Sequence, residues 1–505
     1  MPTKGQKSSR QPPPGAPSSG CSVAPRGARV ARCGRRKALR AGAVTLLVLL
    51  GLSACRLHAP RLEQAEMAIP ALFIEAEGDG SASRPLGRWW EAFGDATLTR
   101  LQEEALARNL DVVQAQARLR QVEALARAEK AALFPFLTLG GRAGRDRQQA
   151  AGGETTVSNQ SLSVAAGYEV DLWQKLGKQS EAASLTAAAS REELKALYIR
   201  LTAQVADLYY LSVEQRAQLA LSERSIATLT DTLARVERRY DAGLADPLDV
   251  YQARQNLLEA QESRPQFAGA LAASNHALSV LLGRFPDNTA SGLLRALPAA
   301  PEAFAAGLPA SLLQNRPDIS AAFLRLAARD AEMAAAIAER FPSLNLLATY
   351  GTGRIDLGAL VTTGPFWNLL AQLSLPVLDG GRRRAAVDRS EAALAEAVAA
   401  YRQTVLRAVQ EVEDALARNR ASEERLALLD ARVAATAASL RLSEYNYFEG
   451  LSEYLPVLVA QQLHFRTESA LLAARRQLLA DRVSLARSLG GGWPETIPAD
   501  HPAAQ

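Results

Sequence analysis

Residues 240–253 read Tyr-Asp-Ala-Gly-Leu-Ala-Asp-Pro-Leu-Asp-Val-Tyr-Gln-Ala, and residues 447–460 read Tyr-Phe-Glu-Gly-Leu-Ser-Glu-Tyr-Leu-Pro-Val-Leu-Val-Ala. Tyr240, Gly243, Leu244, Val250 and Ala253 thus return at Tyr447, Gly450, Leu451, Val457 and Ala460, each 207 residues later. Phe134-Pro135 and Phe341-Pro342 share that offset, as do Asp111 and Asp318, Arg118 and Arg325, and Leu282-Gly283 and Leu489-Gly490. Matches at a single shift over so long a stretch mean a tandem duplication, with two copies of about 190 residues.

Outward from the two glycine turns, the chain is helical in pattern. Residues 179–240 and 382–447 contain neither Pro nor Gly. At 1.5 Å per residue they would extend roughly 93 and 99 Å. In the second stretch Leu394, Val398, Tyr401, Val405, Val409, Val412 and Leu416 form an apolar stripe at alternating steps of three and four. The stripe resumes at Leu429, Val433, Thr436, Leu440, Ser443 and Tyr447 after a polar break at 418–425. Such near-heptad spacing predicts helices packed along their length, with the polar faces turned to water. An earlier helix in each copy, roughly 98–131 and 311–339, stops at the Phe-Pro pair, because proline cannot continue it.

Between that stop and the long helix each copy carries a strand pattern. Leu162, Val164, Ala166, Tyr168, Val170 and Leu172 share one face, with Ser161, Ser163, Ala165, Gly167, Glu169 and Asp171 on the other. Trp367, Leu369, Ala371, Leu373 and Leu375 alternate more weakly with Asn368, Leu370, Gln372 and Ser374. This is the dyad of a membrane barrel strand, and equally of a half-buried strand in a soluble sheet. Two hairpins supply four strands, too few to close a barrel, and open edges are not tolerated in lipid. If these strands span a membrane, several chains must share the barrel.

The start of the chain reads as an export signal. Arg35, Arg36, Lys37 and Arg40 flank the apolar run Ala41–Leu52, which is too short to cross a bilayer as a helix. It ends in Leu52-Ser53-Ala54-Cys55, a sequence that resembles a bacterial lipobox, with Cys55 as the lipidated first residue of the mature chain. Arg56, where an Asp would signal inner-membrane retention, favours the outer membrane. Cleavage removes Cys21 and Cys33 and leaves no pair to form a disulfide. Residues 1–34, rich in Pro, Ser, Gly and Arg, read as disordered, or as an extension ahead of a true start near Val30. Residues 1–54 hold ten of the 58 Lys and Arg and no acid, so the remainder has 48 basic and 53 acidic residues. A net charge of −5 on the mature chain gives no support to nucleic-acid binding.

Catalytic patterns are missing from the sequence. Leu176-Gly177-Lys178-Gln179 lacks the first Gly and the Ser/Thr of a phosphate loop. His58, His276, His464 and His501 have no metal-ligand spacing, and no nucleophile elbow occurs. The expectation is no enzyme, no metal and no cofactor beyond a covalent lipid on Cys55.

Several motifs do match a family. Trp89-Trp90-Glu91-Ala92-Phe93-Gly94-Asp95, followed by Leu98, Leu101, Ala105-Leu106 and Asn109, resembles the start of mature efflux lipoproteins. Asn315-Arg316-Pro317-Asp318-Ile319 resembles the opening of their second repeat. Val409-Gln410-Glu411-Val412-Glu413-Asp414-Ala415-Leu416 and Leu489-Gly490-Gly491-Gly492-Trp493 are similar to their later motifs. With the repeat and the lipobox, the chain is identified from about residue 52 to 494 as a TolC/OprM-type outer membrane factor.

That resemblance implies a mainly α protein with membrane β. Three copies would form a homotrimer, giving a 12-stranded outer-membrane β-barrel continued by an α-barrel tunnel into the periplasm. The implied division is an extension (1–34), a lipoprotein signal peptide (35–54), a lipidated N-terminal segment (55–97), repeat 1 (98–293, hairpin about 136–172), repeat 2 (305–494, hairpin about 343–378) and a tail (495–505). Gly243, Leu244, Ala245, Gly450, Leu451 and Ser452 would be the tips that meet a periplasmic adaptor. Asp249 would gate the periplasmic entrance as a ring of carboxylates, with Val459 as an apolar collar where close relatives often place an Asp. The implied role is passive export of small molecules, powered by an inner-membrane pump of the resistance-nodulation-division class. Two other readings stay open: a duct for protein or peptide secretion driven by an ATP-binding transporter, and a lipid-tethered periplasmic coiled-coil scaffold.

Overall fold

A computed structural model describes residues 58–65, 67–75, 86–150, 153–356 and 360–492. The signal, Cys55, Trp493 and the tail lie outside them. Helix α1 runs Ala96–Arg108 and α2 Leu110–Ala131, followed by strands β1 (Phe136–Ala150) and β2 (Gly153–Val170). Then come α3 (Lys175–Asp241) and α4 (Pro247–Leu281). The order recurs as α5 (Pro317–Ala338), β3 (Ser343–Asp356), β4 (Val361–Ser374), α6 (Arg382–Phe448) and α7 (Leu455–Ser488). The helix expected over 98–131 is two helices. Asn109 breaks it with extended backbone (ψ 128°), and its side-chain oxygen accepts from the amides of Asp111 and Val112. The helix expected from 311 likewise begins at Pro317, after a single turn at Leu312–Asn315.

Helices α3 and α6 are each 67 residues, about 100 Å long. Each folds back on its successor, α4 or α7, and α3 also packs against α7. The stripe residues Leu394, Val398, Val405, Val412, Leu429, Leu440 and Tyr447 are all buried. The polar break in that stripe is mostly exposed, but its Asn419 is buried and ties two helices together. Asn419, 3% exposed, donates to Ala415 O and Asp481 O and accepts from Arg482. Arg482 also bonds Glu423 and the Pro301 carbonyl (2.8 Å), while Ser422 donates to Asp481 (2.6 Å). A charge this deep is stable only with every donor matched, so the knot fixes how α6 and α7 align.

The four strands form one antiparallel sheet in the order β1-β2-β3-β4. One face of it carries the exposed Leu137, Leu139, Leu162, Val164, Tyr350, Trp367, Leu369 and Leu373. β1 and β4 are its open edges. β4 ends at Ser374, so Leu375, expected in the strand, lies beyond it, as do the strongly exposed Val377 and Leu378 (92% and 93%).

The family-like motifs turn out to be packing devices of the midsection. Trp89 and Trp90 are 3% and 2% exposed, Phe93 stacks on Tyr210, and Asp95 caps α1 while accepting from the Tyr209 hydroxyl (2.8 Å). From the other end of the chain, Gly492 approaches Trp89 so closely that a Cβ would sit 2.6 Å from its Nε1. Arg316 bridges Asp318 (2.7 Å) and Glu411 (2.8 Å), joining two motifs nearly a hundred residues apart.

Candidate functional site

The site begins with two reversals. α3 ends when Gly243 turns left-handed (φ 72°), the Gly243 amide donating to Tyr240 O and the Leu244 amide to Arg239 O. α6 ends identically at Gly450 (φ 74°), with Gly450 N bonded to Tyr447 O and Leu451 N to Asn446 O. This double closure satisfies helix-end carbonyls and needs a residue without Cβ strain at that φ. The restarts differ. α4 begins at Pro247 behind Asp246, whose carboxylate accepts from the Leu248 amide (2.8 Å), whereas α7 begins behind Tyr454 with no side-chain cap.

The two tips are joined by groups the sequence did not single out. Arg239 donates to the Phe448 carbonyl (2.6 Å) and lies 5.1 Å over the Tyr447 ring. Tyr447 is edge-on to Phe448 and Tyr454, and a buried cluster of Val236, Ala253, Tyr447, Tyr454 and Val457 seals the pair. Above it Gln461, fully buried, accepts from Asn256 (3.1 Å) and donates to Thr232 and Glu444, linking all four long helices. The burial of Tyr447 was legible from its place at the end of the α6 stripe, whereas its bond to Asp249 across 198 residues carries no signal in the sequence.

Asp249 is half-buried, and its Oδ2 accepts from the Tyr447 hydroxyl at 3.1 Å. Burial and then the Asp249 charge and hydrogen bond push the Tyr447 phenol up to about 12, so it is a firm donor at neutral pH. Burial also raises the Tyr454 phenol, whose oxygen lacks a hydrogen-bond partner. Val459 is 55% exposed on α7 and takes no part in these bonds. Gly243, Leu244, Gly450 and Leu451 are exposed, and Ala245 and Ser452 half-exposed, at the ends of the two hairpins. Among the described residues no cluster of three or more His, Cys, Asp or Glu could hold a metal, and no described helix is long and apolar enough to cross a membrane.

The family model for outer membrane efflux protein matches residues 101–284 and again 308–491. The antibiotic efflux pump outer membrane protein ArpC of Pseudomonas putida is 33% identical over 421 residues, 81% of this chain and 85% of the relative. The solvent efflux pump outer membrane protein SrpC of Pseudomonas putida is 31% identical over 462 residues, 89% of this chain and 97% of the relative. Among solved structures, the outer-membrane channel OprN superposes with a TM-score of 0.79 at 28% identity, over 85% of this chain and 98% of that one.

Proposed function

The chain belongs to the outer membrane efflux protein family and is an outer-membrane efflux channel; we propose that three copies form the passive exit duct of a tripartite pump. Four strands from each copy would close a 12-stranded barrel, and the helices of about 100 Å would continue it across the periplasm. The observation that carries this reading is the pairing of an open-edged sheet with an apolar exposed face and two helix hairpins whose tips are locked together. A soluble scaffold has no use for such a face. Cys55 would bear the lipid, three residues before His58, whose ring lies 2.8 Å from Asp330 on α5.

The exposed tip residues Gly243, Leu244, Ala245, Gly450, Leu451 and Ser452 would receive the periplasmic adaptor, and a proton-driven inner-membrane pump of the resistance-nodulation-division class would supply the energy. Asp249, steadied by Tyr447, would form the three-carboxylate ring at the entrance, with Val459 beside it. The cargo would be small toxic molecules: two relatives of nearly equal identity are named for antibiotics and for solvents, which suits a duct that leaves selection to its pump.

The test is photo-cross-linking in cells from probes at Ala245 and Ser452. It should trap an adaptor that co-purifies with a proton-driven pump. Capture of an adaptor together with an ATP-binding transporter would move the protein to secretion, and failure to capture any adaptor would refute the role of the tips.

A further inference from the structure

Between the tips and the midsection the two helix hairpins are packed differently. On α6 and α7, Leu429, Leu471 and Ala474 form a buried apolar cluster, with Leu426, Val433 and Ala470 against it. The matching positions 207 residues earlier put Ser222 for Leu429, Ser263 for Ala470 and Arg264 for Leu471. Arg264 turns to Glu223 (3.3 Å) at the surface. Pro265 stands where α7 has Leu472, and it has no amide to offer the Gln261 carbonyl. None of residues 258–273 of α4 is buried, whereas the matching stretch of α7 buries Thr467, Leu471, Ala474, Leu478 and Leu479. Where the second copy has a core, the first has a cleft of about 280 Å³ among α3, α4 and α7.

The cleft has apolar walls and one-sided polar chemistry. Leu221, Leu229, Phe267 and Phe465 supply the walls. The hydroxyl protons of its serines are already used. Ser225 donates to Leu221 O (3.0 Å), Ser263 to Ala260 O (2.8 Å), and Ser222 in turn to Ser263 (3.2 Å). Gln218, 4% exposed, donates its Nε2 to Ser469 O (2.9 Å). A carbonyl only accepts, so this bond fixes which end of the amide is which. The other end, Oε1, is buried without a hydrogen-bond partner, a costly state for a polar atom. At the rim the Glu259 carboxylate is met by Gln462 (3.2 Å) and Arg466 (3.6 Å). What the interior asks for is therefore a donor on an apolar body.

We propose that this cleft is a binding site for a compact apolar molecule of one or two rings that carries an N–H or O–H donor. A cavity of ~150 Å³ holds one benzene, so about 280 Å³ suits a ligand of that size. Its rings pack between Leu221 and Phe267, and its donor meets Gln218 Oε1. Once bound, it gives α4 the apolar contact that Leu429 and Leu471 give to α6 and α7. The site lies within one chain and apart from the tips, so it stands whether or not the tips receive an adaptor.

Calorimetric titration of the detergent-solubilised full chain with 2-naphthol tests the site, with 2-methoxynaphthalene, which cannot donate, run beside it. One saturable site per chain is expected, roughly tenfold or more weaker for the analogue, because a site built around a hydrogen bond rejects a molecule that cannot make it. Gln218→Met deletes the acceptor at similar volume and should weaken 2-naphthol by roughly tenfold or more. Ser222→Leu copies the residue that fills the same place on α6 and should abolish the site, leaving only uptake by the micelle. Both variants should match the unmodified chain in size and helical circular dichroism. Should either misfold, the comparison of the two naphthalenes still decides. Saturable binding that survives Ser222→Leu would place the molecule elsewhere and overturn the proposal. Equal affinity for the two naphthalenes would remove the role of Gln218, and no saturable binding of either would sink the site altogether.

Discussion

The two copies are most alike where their cores are packed and diverge just beyond the turns at the tips. In the midsection even single contacts repeat. Asn109 donates to the Leu281 carbonyl, and Arg316, its counterpart, donates to the counterpart carbonyl of Ser488. Gly283 (φ 71°) and Gly490 (φ 85°) both press against backbone, of Arg108 and Asn315 respectively, and those two positions are again 207 apart. At the tips the glycine turns repeat, but the residues that follow them and the burial of the tyrosine before them do not. Asp246 and Pro247 give way to Glu453 and Tyr454, Asp249 to Pro456, and half-exposed Tyr240 to buried Tyr447. A duplicated unit can keep identical packing because each copy needs the same core. Two tips pressed together need complementary faces, and complementarity requires them to diverge.

The largest effect should come from breaking the repeated part. A Cβ on Gly490 would stand 2.6 Å from the Asn315 carbonyl oxygen at a φ that L residues avoid, and Gly283 is equally confined against Arg108. Alanine at either should destabilise the fold by about 2–3 kcal/mol or more. At Gly243 and Gly450 nothing lies within 4 Å, so only the left-handed backbone resists, at about 1–2 kcal/mol. Heat-unfolding midpoints of the four purified variants should therefore fall into two classes, by midsection and tip. Equal losses in all four would mean that φ alone matters and that the close approach is irrelevant.

This division also explains what the sequence could and could not disclose. Helix lengths were legible because removing Gly and Pro for more than sixty residues leaves few alternatives, and α3 and α6 extend only slightly past the expected stretches. The stripe on α6 was legible for the same reason: a periodic apolar face must be buried. The knot at Asn419 and Arg482 was not, since a polar stretch looks solvated until its partners arrive from α7 and from Pro301. Asn109 was likewise hidden inside a pattern that reads as continuous helix. At the tips the turns followed from glycine, whereas the link between them depends on Tyr447 meeting Asp249 across 198 residues, which no local pattern encodes.

A smaller effect should separate the two tyrosines. Tyr447→Phe keeps the ring in its cluster and deletes one hydrogen bond to a carboxylate, worth about 0.5–1.5 kcal/mol or somewhat more. Freed of that bond, Asp249 and the tip should move more, and single-channel conductance in planar bilayers should rise. Tyr240→Phe, on the exposed counterpart, should leave both stability and conductance unchanged. If the two variants behave alike, the tips are not distinguished by this link, and the divergence of the copies must have another cause.

The smallest effect is one of pH, and its sign is fixed. Folding holds the Tyr447 phenol protonated more firmly than in the unfolded chain, raising it from the ordinary 10 to about 12. A group raised in this way contributes its stability fully below about pH 10 and loses it as pH climbs through 12. Conductance of the unmodified channel should accordingly be steady through the neutral range and increase near pH 12, and the step should vanish in Tyr447→Phe. A step that survives the substitution would belong to another group, with Tyr454, raised further still by burial, the nearest at hand. If the tips gate the duct as proposed, the exposed Leu244 and Leu451 are where an adaptor would take hold to part them.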